Sequence, residues 1–105
     1  MIVVPGPSSP GLGRGVADML GAKVIPIEYK NFPDGESYVR VTGGVKGEDV
    51  VLIQTTYPQP DKRLIELLLL IDALRDLEAA SIRAVVPYMA YARQDTRFRE
   101  GEAVS

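Results

Sequence analysis

Neither cysteine nor histidine occurs in these 105 residues. Their absence excludes disulfides, thiol nucleophiles, Cys/His zinc sites, Ser-His-Asp triads and imidazole general bases. Any chemistry must use carboxylates, lysine, arginine, hydroxyls, backbone amides or a hard oxygen-bound cation such as magnesium. A charge excess is lacking too. With 12 Lys+Arg against 14 Asp+Glu, the net charge of -2 provides no general field for nucleic acid or an acidic membrane. No basic segment precedes the apolar residues of the N-terminus, and the longest apolar stretch, 64–71, is too short to span a bilayer and is interrupted by Glu66. The expectation is a soluble, cytoplasmic protein with neither a nucleic-acid nor a membrane partner.

What is present is a folded globule: 46% of the residues are hydrophobic, enough for one core in one small domain. Ile2-Val3-Val4, closed by Pro5-Gly6-Pro7, reads as a buried strand and a turn. Ser9 is placed to cap a helix with Pro10 at its first position, and Gly21 to stop it. Lys23–Glu28 is expected as one apolar strand, Ser37–Val41 as a partly exposed one, Gly43-Gly44 as a turn, and Val50–Gln54 as a third buried strand. Asp61–Glu78 has neither Gly nor Pro and predicts a helix about 27 Å long. It is apolar over more than one stripe, so it is expected to touch something besides its own sheet. Ile82–Pro87 is a further strand, and a polar, charged tail follows from Tyr88. Strands alternating with helices predict an α/β domain with a parallel sheet.

Three segments could carry chemistry. Gly11, Gly13 and Gly15 follow a strand, with Glu28 further on, but the third glycine comes one residue early for a dinucleotide fingerprint and all three lie inside the expected helix. Lys46 reads as a turn lysine, with no phosphate loop around it. Phe32-Pro33-Asp34-Gly35-Glu36 offers a ring for stacking and two acids at i and i+2. On an extended loop both carboxylates would face one way, suited to the amino edge of a purine. Pro-Asp-Gly is also an ordinary turn. Tyr88–Glu100 follows a strand's carboxyl end, where open α/β sheets bind ligands. Arg93, Arg97 and Arg99 suit phosphate oxygens, but Asp95, Glu100 and Glu102 balance them. A small phosphorylated ligand and a surface ion-pair network both fit that composition, and an RNA groove fits it less well.

Read together, Phe32-Pro33-Asp34-Gly35-Glu36, Pro87-Tyr88-Met89-Ala90-Tyr91-Ala92-Arg93-Gln94-Asp95 and Gly101-Glu102-Ala103-Val104-Ser105 closely resemble the ribose-phosphate pyrophosphokinases. The likeness runs in register along the whole chain, and Arg-Phe-Arg-Glu-Gly-Glu is similar to the archaeal branch. The resemblance implies a parallel-sheet, phosphoribosyltransferase-like (type I) fold, with residues 1–105 an incomplete N-terminal domain of a two-domain enzyme. It implies transfer of the β,γ-diphosphate of ATP to the 1-hydroxyl of ribose 5-phosphate, with magnesium. Phe32, Asp34, Gly35 and Glu36 would form an adenine-binding loop reaching into a neighbouring subunit's ATP site in a homo-oligomer. Arg93, Gln94 and Asp95 would be the ATP-contacting residues of the receiving subunit. The family's metal ligands, catalytic lysine and ribose-phosphate loop would all lie beyond residue 105. Lys23, Lys30, Lys46 and Lys62 match none of them, so no catalytic or metal-binding residue is expected here, and the 105-residue chain is expected to be inactive alone. The competing expectations are a noncatalytic nucleotide-binding or assembly module of the same fold, and a small domain whose arginine tail is merely solvated.

Overall fold

The computed structural model describes residues 1–88. Among these described residues, six strands and two helices run in the order β1 (Ile2–Pro5), α1 (Pro10–Leu20), β2 (Lys23–Val24), β3 (Ile27–Asn31), β4 (Ser37–Val41), β5 (Asp49–Ile53), α2 (Pro60–Asp76) and β6 (Ser81–Val85). Four strands form a parallel sheet in the order β2-β1-β5-β6. The other two, β3 and β4, form a separate antiparallel ribbon.

β1 is buried throughout, which is why it carries an unbroken apolar run rather than an alternating one. Val3 joins Ala17 of α1 and Ile53 of β5 in one cluster. Ile2 and Val4 join Val50, Leu52, Leu67, Leu70 and Leu74 in the other. The helices therefore cover opposite faces of the sheet, and β4 lies alongside α2.

Gly13 lets α1 sit close to β1: a Cβ there would meet the Pro5 Cβ at 2.6 Å. Gly11 and Gly15 have open space around them. The glycines thus serve a helix start and one close approach. Ser9 stands at the N-cap of α1 with Pro10 at the first turn, but its side chain does not cap. Its hydroxyl accepts the Thr55 N–H instead, at 3.0 Å. Both helices end in a left-handed residue, Gly21 and Glu78. Ala22 and Ala79 donate back to the carbonyls of Ala17 and Leu74, the Schellman pattern. Glu78 therefore ends the second helix at Asp76, two residues before the expected end, and Pro60 starts it one residue early.

The expected single strand over Lys23–Glu28 is two strands in two sheets. The Ile25 N–H still donates to the Val3 carbonyl, but Pro26 has no N–H to continue the ladder. The chain leaves the sheet there and enters the ribbon as β3.

Candidate functional site

β3 and β4 pair from Ile27↔Val41 to Asn31↔Ser37, which leaves 32–36 as the hairpin tip. The Phe32 carbonyl accepts the Gly35 N–H at 2.9 Å, and the Phe32 N–H donates to the Glu36 carbonyl at 2.8 Å. Gly35 has φ +93°, so the tip is a tight turn closed by a glycine bulge. Asp34 Oδ1 accepts the Glu36 N–H at 3.0 Å. Of the two sequence readings of this segment, the Pro-Asp-Gly turn is the one adopted and the extended loop is not, so the i, i+2 alternation does not apply across Gly35. Asp34 keeps its other carboxylate oxygen for a further donor. Phe32 stays exposed and meets Tyr38 edge-on, with centroids 6.2 Å apart. Lys30 Nζ lies 5.3 Å from the Phe32 centroid and 4.9 Å from that of Tyr38, a cation–π arrangement that steadies both rings.

The stem of this hairpin is tied to α2 by Glu66, a fully buried residue. Its Oε2 accepts the Tyr29 hydroxyl at 2.7 Å and the Ser37 hydroxyl at 2.6 Å. Its Oε1 accepts Arg63 Nη1 at 2.8 Å and Gln54 Nε2 at 3.2 Å. Four donors fill the acceptor capacity of one carboxylate. Burial pushes the Glu66 carboxyl up, but the hydrogen bonds from Ser37, Tyr29 and Arg63, with the Arg63 charge, outweigh it and leave the carboxyl below its ordinary value. Burial likewise lowers Arg63, and the Glu66 hydrogen bond and charge with the Tyr29 contacts reverse it, so the guanidinium is held more firmly charged.

From Glu66 the network runs through Gln54, also fully buried, to the turn after β1. Gln54 Oε1 accepts the Ser8 N–H at 3.0 Å and lies 2.6 Å from the Ser8 hydroxyl. A Cβ on Gly6 would fall 2.3 Å from that same oxygen, so glycine is what leaves room for the amide. Thr56, again buried, donates its hydroxyl to the Tyr88 carbonyl at 2.7 Å. The Tyr57 and Tyr88 rings meet edge-on at 5.8 Å. This polar hub was not singled out from the sequence. Its one signal was Glu66 itself, a charge in the middle of a leucine run.

Between the hairpin tip and α2 lies a groove of about 560 Å³ lined by Gly35, Glu36, Ser37, Asp61, Lys62, Ile65 and Leu69. Ile65, Leu68 and Leu69 are exposed on the helix surface. The structure thus brings Phe32, Asp34, Gly35 and Glu36 together at one tip beside an apolar groove. Arg93, Gln94 and Asp95 lie outside the described residues. Glu28 lies in the antiparallel ribbon and not on a strand of the parallel sheet, and it pairs with Arg40 on the ribbon surface at 2.9 Å. Lys46 forms an exposed ion pair with Glu78 at 3.4 Å. Among the described residues no group of three or more acidic, histidine or cysteine side chains could hold a metal ion, and no helix is long and apolar enough to cross a membrane.

The N-terminal domain of ribose phosphate pyrophosphokinase is the family whose model matches, over residues 1–105. The ribose-phosphate pyrophosphokinase of Saccharolobus solfataricus is 48% identical across 100% of this chain and 36% of its own length. That of Methanobrevibacter smithii is 49% identical across 99% of this chain and 35% of its own. The crystal structure of phosphoribosylpyrophosphate synthetase from Mycobacterium smegmatis superposes with a TM-score of 0.90 at 33% identity, covering 98% of this chain and 35% of that one. A purine phosphoribosyltransferase from Pyrococcus horikoshii shares the fold at a TM-score of 0.63 and 15% identity. The chain spans about a third of the length of the curated relatives it matches. With its parallel α/β sheet and a match along its whole length, the chain belongs to the ribose phosphate pyrophosphokinase N-terminal domain family.

Proposed function

We propose that residues 1–105 are an incomplete N-terminal domain of a two-domain ribose-phosphate pyrophosphokinase. In that enzyme the 1-hydroxyl of ribose 5-phosphate attacks the β-phosphorus of ATP, the bond between the α- and β-phosphoryl groups breaks, and AMP leaves. The chain's contribution is to bind and orient ATP: Phe32 stacks on the adenine, and Asp34 and Glu36 accept from its amino edge. Arg93 and Gln94, with Asp95 beside them, receive the nucleotide from the other side of the site. The observation that carries this reading is the hairpin tip, where an exposed ring and two carboxylates stand together in a chain that matches the family throughout.

The site is shared between subunits of a homo-oligomer. The exposed stripe Ile65, Leu68 and Leu69 beside the hairpin groove supports this reading, since such a patch is commonly covered by a partner. Magnesium supplies charge neutralisation to the transferring diphosphoryl group when it enters with ATP. The described residues offer no ligand set for it, so it is not assigned to them and no step is derived through it.

Positioning and charge neutralisation dominate such transfers, and the metal ligands, catalytic lysine and ribose-phosphate loop expected to complete them lie beyond residue 105. The 105-residue chain alone therefore forms no phosphoribosyl diphosphate. The testing experiment compares it with the full-length enzyme carrying Phe32→Ala. Product from the isolated chain above a no-protein control refutes the division of labour. An unchanged ATP KM in the Phe32→Ala enzyme refutes the role of the hairpin, and a full-length protein that forms no product at all favours the noncatalytic module.

A further inference from the structure

We propose that Glu66 is a positioning residue that sets the hairpin tip for base recognition through Tyr29 and Ser37. The inference rests on the reading of that tip as the adenine-binding element. The hairpin is not part of the main sheet, so no ladder from β1, β2, β5 or β6 fixes it. Ile27, Val39 and Val41 pack the far end of the stem against the core, and nearer the tip its two strands are held to α2 by short bonds to one carboxylate oxygen, from Tyr29 on β3 and from Ser37 on β4. Ser37 directly follows Glu36 and pairs with Asn31, next to Phe32. A shift at this pair therefore moves the ring and both acids together. The other oxygen is clamped by Arg63 and Gln54, so the carboxylate cannot rotate to follow a displaced hairpin. Through Gln54 and Ser8 the same anchor reaches the turn after β1. The tip is thereby indexed to the carboxyl end of the sheet as well as to α2.

The construction is one of positioning: a buried group holds the element that touches ligand and does not touch it itself. Misplacement by a fraction of an ångström should therefore weaken nucleotide capture and base choice, and leave the chemical step alone. The experiment uses the full-length enzyme with Tyr29→Phe/Ser37→Ala, which removes only two hydroxyls, and Glu66→Gln beside it. Phe32→Ala serves as the ligand-contact reference. Ser81→Ala is the control, because it deletes an equally short bond, to Asp49 at 2.6 Å, away from the hairpin. Expected for Tyr29→Phe/Ser37→Ala is a rise in ATP KM of about tenfold with kcat within about twofold, and a fall of similar size in the preference for ATP over GTP. The KM for ribose 5-phosphate should stay put. If Glu66→Gln fails to fold, the double hydroxyl variant decides alone. An unchanged ATP KM and base preference in that variant, while Phe32→Ala raises the ATP KM, overturns the positioning role and leaves the adenine reading standing. If Phe32→Ala also leaves the ATP KM unchanged, the adenine reading falls and the proposal falls with it. An equal rise in ATP KM in Ser81→Ala marks general destabilisation and also overturns it.

Discussion

Glu66 Oε2 accepts a hydrogen bond from the Tyr29 hydroxyl at 2.7 Å, joining the middle of α2 to a hairpin stem 37 positions earlier in the chain. The contact fixes an element that shares no ladder with the main sheet. It also places a charge in the core, which is tolerable only because four donors replace its water. Its energetic signature is a dependence on pH. The folded carboxyl lies below its ordinary value, so the unfolded chain binds the proton more readily. The stabilisation is fully present above the ordinary glutamate range, near 4.3, and is lost as pH falls through the lowered folded value. Glu66→Gln should cost about 1–3 kcal/mol at neutral pH, because Arg63 and Gln54 lose a charged acceptor. The gap between the two proteins should shrink as pH falls below about 4.3. Urea titrations at a series of pH values check this, and a gap that stays constant down to acid denaturation contradicts it.

Gly13 and Gly15 should respond oppositely to alanine. A Cβ at Gly13 would stand 2.6 Å from the Pro5 Cβ and 3.0 Å from its Cα, whereas at Gly15 nothing lies within 4 Å. Gly13→Ala should destabilise by about 1–3 kcal/mol through overpacking against β1. Gly15→Ala should stabilise by up to about 1 kcal/mol, the ordinary helix-propensity gain. Thermal melts of the two variants separate this packing account from any nucleotide-loop account, which would have both glycines matter to ligand and neither to melting.

Glu78 holds φ +63°, a conformation that is strained for a residue with a side chain. Its ion pair with Lys46 is exposed and offsets little of that strain. Glu78→Gly should raise stability by about 1 kcal/mol, as glycine does at this position of a Schellman ending. A drop in melting temperature would show that the Lys46 contact outweighs the backbone strain.

Much of the fold was legible in the sequence because its signals are local. Ile2–Val4, Pro10 and Gly21 placed the first strand and both ends of α1, and Leu-rich continuity placed α2. The split at Pro26 was missed although the proline itself marks a break in the ladder; which sheet each side of it joins is decided only by long-range pairing. The hairpin tip was legible as a ring with two acids and, from Pro-Asp-Gly, as a turn, but not in its detail, since the Asp34–Glu36 bond and the bulge at Gly35 follow from the register of β3 on β4. The hub was illegible for a different reason. Tyr29, Ser37 and Gln54 are ordinary residues in their own segments, Glu66 stands out only as a charge in a leucine run, and only the packing of the ribbon on α2 turns the four into one network.

Leu68 and Leu69 are 54% and 41% exposed, on the helix that also walls the hairpin groove through Ile65 and Leu69. If this stripe is covered by a second subunit, Leu68→Asp/Leu69→Asp should lower the oligomeric state with little effect on the fold, since neither side chain belongs to a core cluster. Burial at about 25 cal/mol per Å² makes two desolvated leucines a material part of such a contact. Light scattering of the full-length protein at micromolar concentration reads the outcome. An oligomer unchanged by the double substitution removes α2 from the interface.

The division of the nucleotide site between subunits can be tested by complementation. If adenine is held by Phe32 and Asp34 of one chain while the phosphates lie against Arg93 of the next, each lesion damages a different half of every site. Asp34→Ala should cost about 1–3 kcal/mol of nucleotide affinity, because a carboxylate acceptor is lost opposite a donor. Part of that cost comes from the tip itself, whose Glu36 N–H loses its partner. Arg93→Ala should remove a forked, charge-assisted contact to phosphate, so salt should weaken ATP binding less steeply in the variant than in the parent. Purified separately, each variant is weakly active. When the two are dissociated, mixed and reassembled, a dimer of one of each kind has one interface carrying both lesions and another carrying neither. Activity should then rise above that of either variant alone. No recovery on mixing, with subunit exchange verified by mass, would place both loops around a site within a single chain.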